Sequence, residues 1–219
     1  MSRLALQPQL DAGLTAFGLS LTDHQRQQLL SYLELLGKWN KVYNLTAVRD
    51  PAEMLTHHLL DSLAVISPLR RHTEGRAVRL LDVGSGGGLP GVVIAICCPE
   101  ISVTCVDAVA KKTSFIQQAA STLGLPNLKS LHARVETVAE RFDVVTSRAF
   151  ASLADFTEWS KNALAEQGLW LAMKGRHPDD ELAQLSPTVK VFHVEHLDVP
   201  GLDAERCLVW MRLEDSART

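Results

Sequence analysis

The chain of 219 residues has only four cysteines, Cys97, Cys98, Cys105 and Cys207, and none is spaced as CxxC. Two of them are adjacent, which suits neither a disulfide framework nor a zinc site, so they read as small buried hydrophobes. The close pair His193 and His196 lacks a Cys or carboxylate pattern to complete a metal shell, and no metal is expected. Long apolar runs are missing too. The stretch VVIAICC (92–98) falls far short of the roughly 20 residues that span a bilayer, so no membrane partner is expected. The opening MSRLALQPQLDAG breaks its apolar residues with Gln, Pro and Asp instead of forming a secretory h-region. A cytoplasmic protein is expected. Charge of one sign is scarce, the net being −3. From His177 to Thr219, nine Asp and Glu stand against four Lys and Arg, a net of −5, which leaves +2 for residues 1–176. A nucleic-acid partner is permitted on the N-terminal side but not demanded.

Hydrophobic residues make up 46% of the chain, enough for one full-sized domain with a small addition. Two helical segments come first. In LTDHQRQQLLSYLELLGKWN, Thr22 is the N-cap with Gln25 three residues on, and Leu29, Leu30, Leu33 and Leu36 follow at helical spacing. In RDPAEMLTHHLLDSLAVI, Asp50 caps, Pro51 takes the first helical position and Glu53 completes the box, while Leu55, Leu59, Leu63 and Ile66 line one face. After Gly75, short β-branched runs alternate with helical ones, the texture of a parallel sheet with crossover helices. Seven strands are predicted, at 77–83, 102–108, 128–135, 142–147, 169–174, 189–197 and 206–213, with helices starting near Pro90, Lys111, Leu153 and Pro178. The last two strands have only DVPGLDAE between them and form a hairpin. The expected fold is α/β, a doubly wound and mostly parallel seven-stranded sheet ending in an antiparallel hairpin. Residues 1–75 would form a helical cap and 76–219 the ligand-binding domain.

The stretch RLLDVGSGGGLPG (79–91) puts five glycines into eight positions behind the first strand, more than a tight turn requires. Ligands of open α/β sheets bind beyond the carboxyl ends of the strands. Gly84, Gly86 and Gly88 there would let the backbone turn sharply and approach a ligand closely. The second strand ends in Asp107, 21 residues beyond Gly86, where a carboxylate can accept both hydroxyls of an adenosine ribose. The register GxGxxG at Gly86, Gly88 and Gly91 keeps a dinucleotide dehydrogenase open. Against it, Asp82 before the loop would repel a pyrophosphate but could help hold the amino group of a methionine moiety through water or backbone contacts, favouring S-adenosylmethionine. Neither tyrosine, Tyr32 or Tyr43, starts a Tyr-x-x-x-Lys pair. Val135 and Glu136 fall at the edge of the adenine pocket, although spacing leaves Glu136 equally at home at a solvent-facing helix start. Arg148 in SRAFASL is the first charge on the ligand side of the fourth strand. Lys174 and Arg176, in KGR after the fifth, suit an anionic substrate such as an RNA backbone, or else are surface charges.

Taken together, WNKVYNLTAVRDP, HHLLDS, LLDVGSGGGLPG, SRAFASL and KGR resemble the glucose-inhibited division protein B (RsmG) family, bacterial methyltransferases that modify a guanine at N7 in 16S ribosomal RNA. The resemblance runs from about Leu29 to Trp210. It implies a class I, Rossmann-like methyltransferase fold, S-adenosyl-L-methionine as cofactor, and cofactor contacts at Gly84, Leu89, Val135, Glu136 and Arg148. It also implies 16S ribosomal RNA or the small ribosomal subunit as partner, with the protein expected to be a monomer. Gly87 departs from the family pattern, in which Pro occurs, and should alter the stiffness of the loop. Other acceptors fit less well. SRAF is not the Asn/Asp-Pro-Pro-aromatic set of amino-nitrogen methylation, Cys98 precedes Pro99 inside an apolar helix, and Arg148 stands where a 2′-oxygen enzyme would place Asp. Because guanine N7 carries no proton, no catalytic acid or base is assigned. A non-catalytic protein that binds S-adenosylmethionine or RNA would carry the same cofactor features.

Overall fold

The computed structural model describes residues 3–214. Its N-terminal part is helical: α1 (Arg3–Ala16), α2 (Asp23–Tyr43), α3 (Pro51–Met54), α4 (Asp61–Leu63) and α5 (Ile66–Thr73), with a π-helical turn at Leu55–Leu60 joining α3 to α4. Helix α1 was not legible as a helix, because Pro8 lies inside it. Tertiary burial holds it, with Leu6, Leu10 and Leu14 forming one buried stripe. At the start of α2 the expected capping box is complete: Gln25 N–H donates to Thr22 Oγ1, and the Thr22 N–H donates to Gln25 Oε1. Asp50 caps α3 through the N–H groups of Ala52 and Glu53, but no return bond from the Asp50 N–H to the Glu53 carboxylate is found among the described residues. Leu55, Leu59, Leu63 and Ile66 are all buried, as their spacing predicts.

All seven predicted strands are present: β1 (Arg79–Val83), β2 (Ser102–Asp107), β3 (Leu128–His132), β4 (Phe142–Arg148), β5 (Leu164–Lys174), β6 (Val189–His196) and β7 (Cys207–Leu213). They form one sheet in the order β3-β2-β1-β4-β5-β7-β6, parallel except for β7, which runs antiparallel to both its neighbours. Strand β5 begins five residues earlier than expected, because Leu164 pairs with Phe142 before a register shift. Strand β3 ends earlier, at His132, and Val135–Thr137 form a 3-10 turn. The crossovers carry α6 (Gly91–Cys97), α7 (Ala110–Leu123), α8 (Leu153–Ser160) and the short α9 (Asp179–Leu182).

Side chains alternate across each strand, so the two faces of the sheet carry different cores. On β1, Leu80 joins a cluster that includes α6, α7 and the N-terminal helices, while Leu81 and Val83 join the α8 side. The N-terminal helices therefore have no separate core. They also complete the helices beneath them, because the last carbonyls of a helix lack partners within it. Gln25 Nε2 donates to the Ile96 carbonyl of α6, and Gln28 Nε2 to the Leu123 carbonyl of α7. Trp39 meets Phe115 of α7 edge-on, with ring centroids 5.4 Å apart. A shared core should unfold as a unit. Leu29→Ala, which removes a fully buried side chain of α2, should cost about 2–5 kcal/mol and leave a single urea transition with coincident fluorescence and circular dichroism; two separated transitions would show that residues 1–75 fold independently.

Candidate cofactor and acceptor site

The loop after β1 is held by backbone and carboxylates. The N–H groups of Gly84 and Ser85 both donate to the Val106 carbonyl of β2, and Gly86 N–H donates to Asp107 Oδ2 at 3.0 Å. Gly84, Gly86 and Gly88 all have positive φ, the conformation their residue type was expected to supply. Gly84 is also closely covered: a Cβ there would sit 2.1 Å from the Phe150 ring. From the other side, the Tyr32 hydroxyl of α2 donates to the Gly87 carbonyl at 2.6 Å.

Two adjoining cavities run over the strand ends. The first, about 560 Å³, is lined by Gly84, Gly86, Leu89, Arg148 and Lys174 together with Thr46, His57, His58, Asp61 and Arg206. The second, about 390 Å³, is lined by Asp107, Val135, Glu136 and Arg134, with Phe150 and Trp159 on one side. Both share Gly84, Lys112 and Ala149, so they form one trough. Gly84, Gly86, Leu89, Asp107, Val135, Glu136, Arg148 and Lys174 lie along it, whereas Asp82, Gly88 and Arg176 do not. Arg176 lines a separate surface cleft with His177 and the acidic start of α9.

Asp107 is almost fully buried and already holds the Val109 N–H at 2.9 Å and Lys112 Nζ at 3.5 Å besides Gly86, so it ties the glycine loop to β2 while lining the second cavity. Asp82 lines neither cavity, so any hold on a methionine amino group would be indirect. It follows Leu81 on β1 and so points with Leu80 into the interior, away from both cavities. Its Oδ2 accepts the Gly91 N–H at 2.8 Å and Oδ1 has no protein partner. Burial pushes its pKa up to about 7. Asp82 orients the entry to α6.

Residues from outside the predicted set complete the first cavity. Asp61, buried at the start of α4, accepts from Arg148 Nη1 at 2.7 Å and from Arg206 Nε at 2.7 Å. Arg148 also donates to the His57 carbonyl at 3.2 Å. Lys174 is engaged by Glu181 at 2.7 Å and by the Ala151 carbonyl at 2.9 Å. His58 Nε2 lies 2.6 Å from Thr46 Oγ1, and burial with nearby Arg148 pushes its pKa down to about 4, so the ring is neutral at pH 7. Asp61 was present in the motif HHLLDS, but nothing local announces partners on two distant strand ends.

A family model described as "rRNA small subunit methyltransferase G" matches residues 25–209. The chain is 68% identical to the Ribosomal RNA small subunit methyltransferase G of Polaromonas sp. (strain JS666 / ATCC BAA-500) over 212 residues, 95% of this chain and 94% of the relative. It is 66% identical to the protein of that name from Acidovorax ebreus (strain TPSY), covering 97% of each. Among solved structures it resembles Burkholderia thailandensis 1,6-didemethyltoxoflavin-N1-methyltransferase with bound S-adenosylhomocysteine, with TM-score 0.59 and 16% identity over 84% of this chain and 90% of that one. TrmN from Thermus thermophilus gives TM-score 0.56 and 18% identity over 68% of this chain and 48% of that one. At these identities the structural matches establish the fold alone.

Two consequences are measurable. Gly84→Ala meets both the positive φ and the Phe150 ring, and should lower affinity for S-adenosylhomocysteine at least tenfold by calorimetry; unchanged affinity would show that the loop relaxes freely. Because Asp82 titrates higher in the folded than in the unfolded chain, the native state holds the extra proton between about pH 4 and 7, and stability falls as pH rises through that window. His58, shifted down, acts oppositely: its contribution is lost as pH falls from about 6.5 towards 4. Asp82→Asn should remove only the first effect, making the protein gain on wild type with rising pH by on the order of a few kcal/mol, as read from denaturation midpoints at pH 5 and pH 8.

Proposed function

We infer the function from one premise: the chain belongs to the rRNA small subunit methyltransferase G family, whose model spans residues 25–209. It is an S-adenosylmethionine-dependent methyltransferase acting on small-subunit ribosomal RNA, and the acceptor we propose is N7 of a guanine in 16S RNA. The observation that carries this reading is the trough over the ends of β1 and β2, whose glycine loop leaves no room for a Cβ at Gly84 and whose second cavity is lined by Asp107. S-adenosylmethionine, when bound, supplies a methyl group on a positively charged sulfur. Gly84, Gly86, Leu89 and Arg148 would hold its methionine end. Asp107, with lone pairs left beyond its present bonds, would accept the ribose hydroxyls, and Val135 and Glu136 would border the adenine.

A proton-free acceptor matches the groups around the first cavity. The one carboxylate lining it among the described residues, Asp61, is stapled between two guanidiniums, and His58 is engaged with Thr46, so neither is poised to remove a proton; His57 also lines the cavity. No cysteine lines it as a nucleophile. The protein's contribution is then orientation, bringing the purine nitrogen into line with the departing sulfur, an effect that reaches about 7–11 kcal/mol in ideal cases. Lys174 and Arg176 are proposed to meet the RNA from the β5 side. Residues 1–75 act as the cap and 76–219 carry the chemistry. A monomer working in the cytoplasm is part of this proposal; no described helix is long and apolar enough to cross a membrane.

Small-subunit RNA from cells lacking the protein should accept labelled methyl groups, with strand cleavage at 7-methylguanine mapping the label to one position. Absence of incorporation while S-adenosylhomocysteine binds would leave a cofactor-binding assembly factor instead. Asp107→Ala should weaken binding of S-adenosylhomocysteine by about 1–3 kcal/mol through lost charged hydrogen bonds; unaltered affinity would remove Asp107 from the site.

A further inference from the structure

The end of α2 reads Lys38-Trp39-Asn40-Lys41-Val42-Tyr43 and exposes apolar and cationic groups on opposite sides of the helix, Lys41 and Tyr43 being two residues, about 200°, apart. Val42 is 70% exposed and Tyr43 is 43% exposed. Tyr43 is not loose: its ring lies 4.9 Å from that of Trp39, which is wedged in turn against Phe115. Lys38 and Lys41 are three residues apart on one side of the helix. Together with Arg49 from the following loop they rim a cleft of about 780 Å³ whose floor includes Leu30, Leu33 and Met54. Lys38 is paired with Glu34, but the Lys41 ammonium has no partner among the described residues, and Arg49 has only a 3.4 Å contact with Asn44.

The Tyr43 side adjoins the acceptor cavity, since Leu36, seven residues back on the same stripe of α2, lines it. The chain passes from Tyr43 through Asn44 directly to Leu45 and Thr46, which line that cavity. Asn40 fixes the connection, donating to the Val48 carbonyl at 3.1 Å and accepting the Thr46 N–H at 2.8 Å. Resting on the function proposed above, the geometry points to a single-stranded segment of the substrate RNA crossing the end of α2 and its following loop, Tyr43 stacking a base on the side of the acceptor cavity and Lys41 and Arg49 holding phosphates on the other. Aromatic faces with interleaved cations are how proteins hold single strands. A protein partner fits less well, since Lys is depleted from the cores of protein interfaces.

Three variants test this on the full-length protein: Tyr43→Ala, Tyr43→Phe, and Lys41→Glu combined with Arg49→Glu. The readouts are affinity for small-subunit RNA across a salt series, KM and kcat for methyl transfer, and affinity for S-adenosylhomocysteine. Tyr43→Ala should weaken RNA binding about tenfold with an unchanged salt slope, and Tyr43→Phe should restore it. The charge-reversed variant should raise KM for RNA and flatten the slope of log affinity against log salt by about 1–2. Binding of S-adenosylhomocysteine and the thermal midpoint should stay at wild-type values. Active wild type with variants equal to it in RNA affinity and KM overturns the surface alone. Variants impaired on assembled subunits but normal on naked RNA would give the face to a protein and overturn it too. A wild type that binds S-adenosylhomocysteine yet labels no small-subunit RNA overturns the function and this inference together.

Discussion

One carboxylate, that of Asp61, sits between Arg148 at the end of β4 and Arg206 just before β7, and the first cavity depends on it. Three separately encoded parts of the chain meet there: the N-terminal helices, the parallel half of the sheet and the C-terminal hairpin. A buried ion pair is a poor source of net stability, because desolvation offsets most of the attraction. Removing one partner is nevertheless expensive, leaving a buried charge uncompensated at a cost of roughly 3–5 kcal/mol. Such an arrangement specifies more than it stabilises. It holds two guanidiniums at the mouth of a cavity where either alone would be free to turn to water.

The same group sets the charge of the cavity. Two cations against one anion leave a net positive charge beside the place proposed for a methionine carboxylate, and Lys174 adds little because Glu181 neutralises it. The neutral state of His58 follows first from burial, with Arg148 adding its opposition to a second positive charge nearby. On the same face of the sheet, Asp82 is handled by a different rule: no cation among the described residues pairs with it, and burial raises its pKa towards neutrality while Gly91 takes one of its oxygens. Two buried aspartates about twenty residues apart in sequence thus have unlike roles, one organising charge and the other organising backbone.

Much of this was legible in the sequence where the determinants are local. Thr22 and Gln25 are three residues apart and announce their helix; the β-branched runs and the carboxyl-end position of the glycines announce the sheet and the side on which its ligand lies. What was not legible depends on contacts made across the fold. The partners of Asp61 are 87 and 145 residues away, and no periodicity carries that information. Asp82 was read by its distance from the glycines, whereas the alternation of the strand decides where it points. Helix α1 was hidden by Pro8, a local breaker overruled by the burial of Leu6, Leu10 and Leu14.

The π-helical turn at Leu55–Leu60 accommodates one residue more than an α-helix would hold over the same rise, and it ends immediately before Asp61. Each residue of a helix advances the direction of its successors by about 100°. Shortening this turn by one would leave the upstream leucines seated and swing the Asp61 carboxylate away from both of its arginines. The segment therefore encodes its function in its length as much as in its residues: conservative exchanges of one side chain for another are tolerable there, while an insertion or deletion is not.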